Sequence, residues 1–343
     1  MDRDRDAWID YAKAIGIILV VYGHVARGIF TAGLDMDPRI YEITDNIIYS
    51  FHMPLFFFLS GLFLLPSLAK RSHTNLLFNK VDTILYPYVI WSLLQGSIEI
   101  ILSRYTNGHV TFSEVFSLAW QPRAHFWFLY VLFFFFLFSS LIYRRFSTQI
   151  WCFGVFCVTI LLYFFSHILP NFYIFNMLNQ FFVYFSGGVL VAFMLTKSKL
   201  GSTTLLLIIG TLFVISQWLF QADQMLYHYS SQPEVILLLA FIGIMVVVIF
   251  SKWLTNFTLP WLAYLGRQSM TIYLVHILAG SGCRIVLQKF FHVTNVPIHL
   301  LVGTLGGLIL PLLFFWLSSK AGLKILFSPP KILRLGGKHT GLG

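Results

Sequence analysis

The stretch IDYAKAIGIILVVYGH, residues 9–24, carries a lysine and a histidine in an otherwise apolar run. If the stretch is helical, Lys13 and His24 share one face, because eleven steps of about 100° make three turns plus about 20°. Histidine is suited to take a proton near neutral pH, and lysine to hold an anion such as a phosphate. The spacing therefore predicts a base at His24 and an anion site at Lys13. An interfacial lysine and a histidine that only packs between helices are an equally good interpretation.

The same helix face contains two small residues between these groups. Gly16 lies on the face and Gly23 at its edge, while Ile17 and Val20 keep the face apolar. We expect the two glycines to leave room for a ligand along the helix.

Polar residues also interrupt later apolar runs, and ionisable groups at membrane depth mark functional sites or buried pairs by default. His52 stands in YSFHMPLFFFLSG, where Pro54 is expected to free a backbone carbonyl. The Ser60-Gly61 pair that follows is better interpreted as a helix-packing feature. Glu99, in WSLLQGSIEIIL, could orient a histidine as carboxylates do in catalytic dyads, or lie at the outer interface.

Three further groups of residues could bind a ligand. Arg123, His125 and Trp127 could hold a sugar by hydrogen bonds and stacking, or form an ordinary interfacial belt. Tyr273 and His276 are three residues apart and share a helix face, where helix packing is the simpler interpretation. A basic cluster could receive a phosphorylated ligand, or only set the topology; its members are Lys70, Arg71 and Lys80.

The elements that must position these residues are membrane helices. Of the 343 residues, 58% are hydrophobic and 10% are charged, whereas soluble domains carry about 25% charged residues; the mean hydropathy is +0.79. Bilayer spans need about 20 apolar residues, and ten runs qualify: 14–32, 46–66, 84–103, 125–143, 150–169, 176–196, 203–221, 235–251, 269–288 and 298–318. We expect an all-α integral membrane protein with about ten transmembrane helices.

The distribution of positive charge predicts the orientation. With the N-terminus in the cytoplasm, seventeen of the 23 Lys and Arg residues fall on the inside and six on the outside. Both termini are therefore expected to be cytoplasmic, and the net charge of +10 is assigned to topology rather than to nucleic-acid binding. Residues 1–327 are expected to form one transmembrane domain, followed by a flexible cytoplasmic tail, 328–343. Cys152, Cys157 and Cys283 show no metal-ligand spacing and are interpreted as small hydrophobic residues.

Five blocks together resemble the acyltransferase-3 family of bacterial membrane acyltransferases, most closely its fucose 4-O-acetylase-like branch. In chain order the blocks are WIDYAKAIGIILVVYGH (8–24), FHMPLFFFLSG (51–61), ILYPYVIW (84–91), HFWFLYVLF (125–133) and LGRQSMTIYLVH (265–276). The resemblance implies transfer of an acyl group, usually acetyl, from cytoplasmic acyl-CoA to a carbohydrate hydroxyl at or beyond the outer face. It implies a multi-pass protein of the bacterial inner membrane, with acetyl-CoA as co-substrate and no metal. The partners are the acyl-CoA, a carbohydrate acceptor (polysaccharide or lipid-linked precursor) and membrane lipids, without nucleic acid.

The resemblance also implies roles for individual residues. His24 matches the family's essential histidine, the expected general base, and Lys13 matches a basic residue on the acyl-CoA side. The family often has two arginines, three apart, before the third span, where this chain has Lys80 and Thr83. We therefore expect three functional groups: catalytic His24, His52 and Glu99; acyl-CoA-binding Lys13, Lys70, Arg71 and Lys80; and acceptor-binding Arg123, His125, Trp127, Tyr273 and His276.

Two other classes of function compete with an acyltransferase. A transporter or flippase for a glycan or small solute would tend to show inverted repeats and broken helices, and the sequence shows no such symmetry. A structural component of a glycan-synthesis complex would tolerate the loss of His24.

Overall fold

The structure, a computed structural model, describes residues 7–101, 111–165, 170–195, 202–227 and 232–336. Within these ranges the chain is helical and contains no β-strand. Nine of the helical segments described there are long and apolar enough to cross a membrane. The prediction of an all-α membrane protein is thereby confirmed.

The fifth predicted span corresponds to a helix that is shorter than expected. The run 150–169 corresponds to a helix of 16 residues, Gln149–Phe164, and residues 166–169 lie outside the described part of the chain.

Cys152, Cys157 and Cys283 form no disulfide bond in the structure. This agrees with their interpretation as small hydrophobic residues.

Fifteen α-helices are described, numbered here in chain order. They are α1 (Ala7–Thr31), α2 (Pro38–Tyr49), α3 (His52–Leu62), α4 (Leu64–Lys70), α5 (His73–Lys80), α6 (Tyr86–Ile101), α7 (Phe112–Phe116), α8 (Trp127–Ile142), α9 (Gln149–Phe164), α10 (Tyr173–Leu195), α11 (Thr203–Tyr227), α12 (Pro233–Leu254), α13 (Pro260–Arg267), α14 (Ser269–Ile285) and α15 (Val296–Lys320). A π-helical turn, Val81–Leu85, joins α5 to α6, and a second, Val286–Phe290, extends α14.

The chain divides into two compact units. Unit 1 comprises Met1–Leu59 with Met194–Leu312, and unit 2 comprises Ser60–Phe193 with Leu313–Gly343. In unit 1, α1 contacts α2, α12, α13 and α14, and α11 packs on α12. In unit 2, α8 contacts α4, α5 and the π-helical turn before α6.

Small residues let α1 approach its neighbours closely in unit 1. A Cβ added to Gly266 of α13 would lie 1.8 Å from the Asp10 carbonyl oxygen. On α15, Gly303 and Gly307 receive the side chains of Val25 and Val21. In a bilayer, lipid is as apolar as the helix surface, so the hydrophobic effect does not drive helices together. Close packing at small residues contributes to helix association instead. The position of α1 is therefore set in part by close contacts at Gly266, Gly303 and Gly307 that a larger residue would not permit.

The region around Pro54 differs from the expectation. The chain bends at Ser50 and Phe51, between α2 and α3, and α3 begins at His52. Pro54 thus occupies the first turn of a helix, where its missing N–H would have had no intrahelical partner. The expectation that Pro54 frees a carbonyl was wrong, because the helix starts there rather than passing through.

Unit 2 contains the packing glycine and the end of the described chain. A Cβ on Gly61 would meet the Phe185 carbonyl oxygen at 2.0 Å, which agrees with a packing role for Ser60-Gly61.

The first residues of the predicted tail, 328–336, are held in place, since Asp82 accepts hydrogen bonds from the N–H groups of Leu335 (3.2 Å) and Gly336 (2.8 Å). Residues 337–343 lie outside the described ranges, and the domain boundaries stay a prediction.

Candidate functional site

Three histidines from distant parts of the sequence meet in unit 1. The ring centroids of His24 on α1 and His276 on α14 are 5.2 Å apart. Tyr49, the last residue of α2, lies 6.4 Å from His24 and 4.4 Å from His52. We call these four residues the histidine cluster. Sequence reasoning assigned His24 and His52 to catalysis and His276 to the acceptor, and the structure brings all three together.

Hydrogen bonds fix the orientation of two rings of the histidine cluster. The Nδ1 atom of His52 lies 2.8 Å from the Ile48 carbonyl oxygen, and that of His276 lies 2.7 Å from the Tyr273 carbonyl oxygen. A carbonyl oxygen only accepts, so Nδ1 donates in both rings, and Nε2 holds the lone pair when the ring is neutral. No three His, Cys, Asp or Glu residues within the described ranges are arranged to hold a metal ion.

The three histidines differ in their exposure. His52 and His276 each expose 1% of their surface, whereas His24 is only partly buried. His24 also lines a small cleft at the surface of unit 1. A base must come within hydrogen-bond reach of the proton it abstracts. Of the three rings, His24 is therefore the one that a substrate could reach most directly.

The cleft lies between the second half of α1 and α14. His276, Gly280 and Arg284 follow one another at intervals of four residues and therefore share a face of α14, and Arg284 is 8% exposed. A Cβ on Gly28 would meet no heavy atom within 4 Å, so the cleft is open at that position. The lining consists of His24, Val25, Gly28, Ile29, His276, Ile277, Gly280, Ser281 and Arg284.

An ion pair supports Tyr49 on another side of α1. Arg27 donates two hydrogen bonds to the Asp45 carboxylate, from Nε at 2.6 Å and from Nη2 at 2.7 Å. The guanidinium carbon lies 3.2 Å from the Tyr49 ring centroid, a cation–π contact. This bidentate pair fixes a positive charge one turn beyond His24 and holds Tyr49 against the helix.

The space predicted along α1 is filled. A Cβ on Gly16 would lie 2.9 Å from a ring carbon of Phe56, and one on Gly23 would lie 3.1 Å from a ring carbon of Tyr49. Ile17 and Val20 are 0% and 1% exposed. The expectation of a ligand groove over these glycines was wrong, because aromatic side chains of α2 and α3 occupy it. The open space at this end of α1 lies instead beside Gly28, one turn beyond His24.

Glu99 is bound to residues of its own unit. Its carboxylate accepts from Arg123 Nη2 at 2.5 Å and from Gln95 Nε2 at 2.8 Å. The side chains of Arg123 and Glu99 are 11% and 18% exposed, so the ion pair is largely buried. In unit 2 Glu99 thus neutralises an arginine, and an orienting role towards a histidine stays a prediction.

The other residues proposed for the acceptor occupy different environments. His125 is 5% exposed, Trp127 packs on Phe181 at 5.1 Å between ring centroids, and both belong to unit 2. Tyr273 is 5% exposed and lies in unit 1, with its ring 5.9 Å from that of His276. The structure thus places Tyr273 beside the histidine cluster.

The basic residues proposed for acyl-CoA also differ in exposure. Lys70 and Arg71 are exposed at the end of α4, while Lys80 lies with Nζ 3.8 Å from the Phe136 ring centroid. Lys13 is partly buried on α1, about 16 Å along the axis from His24. The exposed pair is the more available to a soluble phosphate, and binding of acyl-CoA stays a prediction for all four.

Sequence reasoning missed several residues around His24. It counted Arg27 and Arg284 only as outer charges that set topology, although Arg27 follows His24 by one turn and Arg284 follows His276 by eight residues. Helical spacing could have found both. Asp45 and Tyr49 carried no such signal, because their position depends on how α2 folds against α1.

Comparison with known proteins identifies the class. A family model described as an acyltransferase domain, Acyl_transf_3, matches residues 6–316. The chain belongs to the acyltransferase-3 family. It is therefore a membrane acyltransferase, and its assignment to the fucose 4-O-acetylase-like branch stays a prediction.

Two curated relatives cover only part of this acyltransferase. The Nodulation protein NolL of Sinorhizobium fredii is 32% identical over 100 residues, which is 27% of this chain and 25% of that protein. The Nodulation protein NolL of Mesorhizobium japonicum is 32% identical over 95 residues, which is 27% of this chain and 24% of that protein. The matches thus span about a quarter of the length of these relatives. No solved structure matches the chain.

Proposed function

We propose that this acyltransferase is an O-acetyltransferase of the bacterial inner membrane. It moves an acetyl group from cytoplasmic acetyl-CoA to a hydroxyl of an exported or surface polysaccharide, or of its lipid-linked precursor. The observation that carries the proposal is the position of His24, which lines a cleft and lies 5.2 Å from the ring of the buried His276. Membership of the acyltransferase-3 family supports the class of reaction.

In the proposed reaction, His24 acts as the general base. Its imidazole takes the proton of the acceptor hydroxyl while the oxygen attacks the thioester carbonyl. The carbon–sulfur bond breaks, the CoA thiolate leaves, and the imidazolium returns the proton to that sulfur. The products are the acetyl ester and CoA, and no further reactant is required.

The neighbours of His24 are proposed to keep its ring in place. His276 is anchored to a backbone carbonyl 5.2 Å away, and His52 is anchored in the same way behind Tyr49. A base that must act in one geometry benefits from neighbours with fixed orientations. We assign His52 to this supporting role, and Lys13, Lys70, Arg71 and Lys80 to the phosphates of acetyl-CoA.

The test is the acetyl content of the host's surface polysaccharide, measured by mass spectrometry. Cells carry the wild-type protein, His24→Ala, or a deletion of the gene, and membrane levels of the protein are compared. His292→Asn is the matched control, because His292 is exposed between α14 and α15 with a φ of 52°, which Asn tolerates.

We expect acetyl groups with the wild type and with His292→Asn, and none with His24→Ala or the deletion. If the deletion removes acetyl groups and His24→Ala keeps them, His24 is not the base. If acetylation never changes while polymer export does, the protein is a transporter, and the proposed function is wrong.

A further inference from the structure

We propose that residues 330–335, which follow α15, form an anchor that binds anionic phospholipid headgroups at the inner face of the membrane. We call this segment the basic turn; its sequence is PKILRL. Lys331 and Arg334 bind the lipid phosphates, while Ile332 and Leu333 enter the apolar edge of the bilayer. The inference concerns unit 2 and does not depend on the reaction proposed above.

The chain before the basic turn is bound to the start of α6. The Tyr86 hydroxyl donates to the Ile325 carbonyl oxygen at 2.8 Å, and Trp91 Nε1 donates to that of Leu326 at 2.7 Å. The Phe327 ring lies 5.5 Å from the Trp91 ring, measured between centroids. In the topology expected from the charge distribution, α6 begins at the inner side of the bilayer. These contacts therefore hold the chain at the inner membrane interface.

The chain at the end of the basic turn is bound to the π-helical turn that precedes α6. Asp82 accepts hydrogen bonds from the N–H groups of Leu335 and Gly336. Within the segment, the Leu333 N–H donates to the Pro330 carbonyl oxygen at 2.9 Å, which closes a β-turn. Both sides of the segment are thus fixed at the inner end of α6, so the residues between them stay at the level of the interface.

The tip of the basic turn carries exposed apolar side chains. Ile332 is 95% exposed, Leu333 59% and Leu335 53%. Turns in water usually carry Gly, Asn, Asp or Ser, and lipid would cover the apolar surface that these three side chains present. Lys331 and Arg334 are exposed beside them. Such long side chains can keep their charge among headgroups while their methylene groups lie on apolar surface.

The acidic side chains of unit 2 are used elsewhere. The sequence of this unit contains three, Asp82, Glu99 and Glu114. Asp82 binds the two N–H groups named above. Glu99 binds Arg123, and Glu114 forms a capping box with Thr111 at the start of α7. An anionic headgroup is therefore the complementary charge that the basic turn meets at a membrane surface, where each nearby Lys or Arg strengthens binding about fivefold.

The apolar tip favours a lipid over a soluble phosphate compound. A phosphate in solution, such as that of acetyl-CoA, would neutralise Lys331 and Arg334 but would leave Ile332 and Leu333 in water. A phospholipid satisfies both features, since it presents a phosphate above an acyl chain.

The first arm of the test compares two lipid environments. The purified full-length protein is reconstituted in nanodiscs of phosphatidylcholine, either alone or with about one third phosphatidylglycerol, and amide hydrogen exchange is measured for residues 331–334. We expect exchange to be about tenfold slower with phosphatidylglycerol, because the bound segment opens less often. The difference should shrink when salt is raised from about 0.1 M to about 1 M, because salt screens the headgroup charge.

Variants separate the charges from the apolar contact. Lys331→Gln with Arg334→Gln should abolish the effect of phosphatidylglycerol, whereas Ile332→Ser should speed up exchange in both lipids. The matched control is Arg144→Gln with Arg145→Gln, which removes two exposed charges from the same unit and the same expected side. This control should keep the full effect of phosphatidylglycerol. All five side chains are exposed, so the melting temperatures should equal that of the wild type, which verifies folding.

Several results would overturn the proposal. Equal exchange in the two lipids excludes binding of anionic lipid. An equal loss of the lipid effect in the control at Arg144 and Arg145 indicates a general surface potential rather than a site at the basic turn. Unchanged exchange in Ile332→Ser excludes the apolar contact. If acetyl-CoA or inorganic phosphate, added to nanodiscs of phosphatidylcholine alone, slows exchange as much as phosphatidylglycerol does, the segment binds a soluble phosphate instead.

Discussion

Replacing Gly266 with alanine should displace α1 together with His24, the proposed base. The added Cβ would lie 1.8 Å from the Asp10 carbonyl oxygen and 2.5 Å from its carbonyl carbon. Ordinary contacts begin at about 3.4 Å, so α13 and α1 would have to separate by more than 1 Å. Both obstacles are backbone atoms, and no side-chain rotation can relieve the clash.

The expected consequences concern both stability and rate. Overpacking of this kind costs about 1–3 kcal/mol, and a displacement of about 1 Å at a catalytic group can cost about 100-fold in rate. We expect Gly266→Ala to lower the melting temperature of the solubilised protein by several degrees. We also expect acetyl transfer to fall by about one to two orders of magnitude.

The matched control is Gly210→Ala on α11, in the same unit. A Cβ there meets no heavy atom within 4 Å, and alanine favours a helix over glycine by about 0.5–1 kcal/mol. Its stability and activity should be equal to or above those of the wild type. The reasoning is refuted if Gly266→Ala matches Gly210→Ala in both melting temperature and activity, because the close backbone approach would then not exist.

Three further predictions concern the charged groups. Glu99→Gln should destabilise the protein by about 3 kcal/mol because it leaves Arg123 buried without its carboxylate; adding Arg123→Gln should recover part of that loss, and thermal melts that show simple additivity would exclude the pair. Lys13→Ala should raise KM for acetyl-CoA with little change in KM for the acceptor, which steady-state kinetics would measure; a normal KM for acetyl-CoA counts against a role at the phosphates. Asp82→Ala should release residues 335–336 and increase amide hydrogen exchange there, because two N–H groups lose their acceptor; unchanged exchange would show that the segment is held by other contacts.

The features that sequence reasoning found are those that depend on local periodicity. Apolar runs of about 20 residues predicted most of the spans, and α1 includes both Lys13 and His24, so that the two residues share a helix face as their interval predicted. The run 150–169 was predicted longer than the helix described there, because hydropathy does not show where a helix ends: α9 stops at Phe164. Pro54 was misjudged for the same reason, since a proline in a first turn and one inside a helix look alike in the sequence.

The features that it missed depend on contacts between distant segments. Gly16 and Gly23 indicate that something packs closely against α1 at these positions. Only the fold shows that the side chains of Phe56 and Tyr49 fill the space. The partner of Glu99 is 24 residues away, across a connection whose course the sequence does not reveal. Arg284 was predictable by spacing from His276, and it was overlooked because a positive charge near a membrane surface already had an explanation in topology.

On the proposed function, in which His24 is the base, the order of groups along α1 gives a physical reason for placing that base inside a membrane protein. Lys13, His24 and Arg27 occupy successive depths of one helix, and the two outer members are bound to different environments: His24 opens to the cleft, while Arg27 is held by Asp45. A hydroxyl is a poor nucleophile in water, and a base that meets it away from bulk solvent acts more strongly on it. The surrounding helices must then supply, at fixed positions, the hydrogen-bonding groups that water would otherwise supply. In unit 1 these groups include His52 and His276, each of which is anchored to a backbone carbonyl oxygen. A substitution that leaves the chemistry of His24 intact but loosens this frame, as Gly266→Ala should, is therefore expected to impair the reaction nearly as much as removal of a ligand contact.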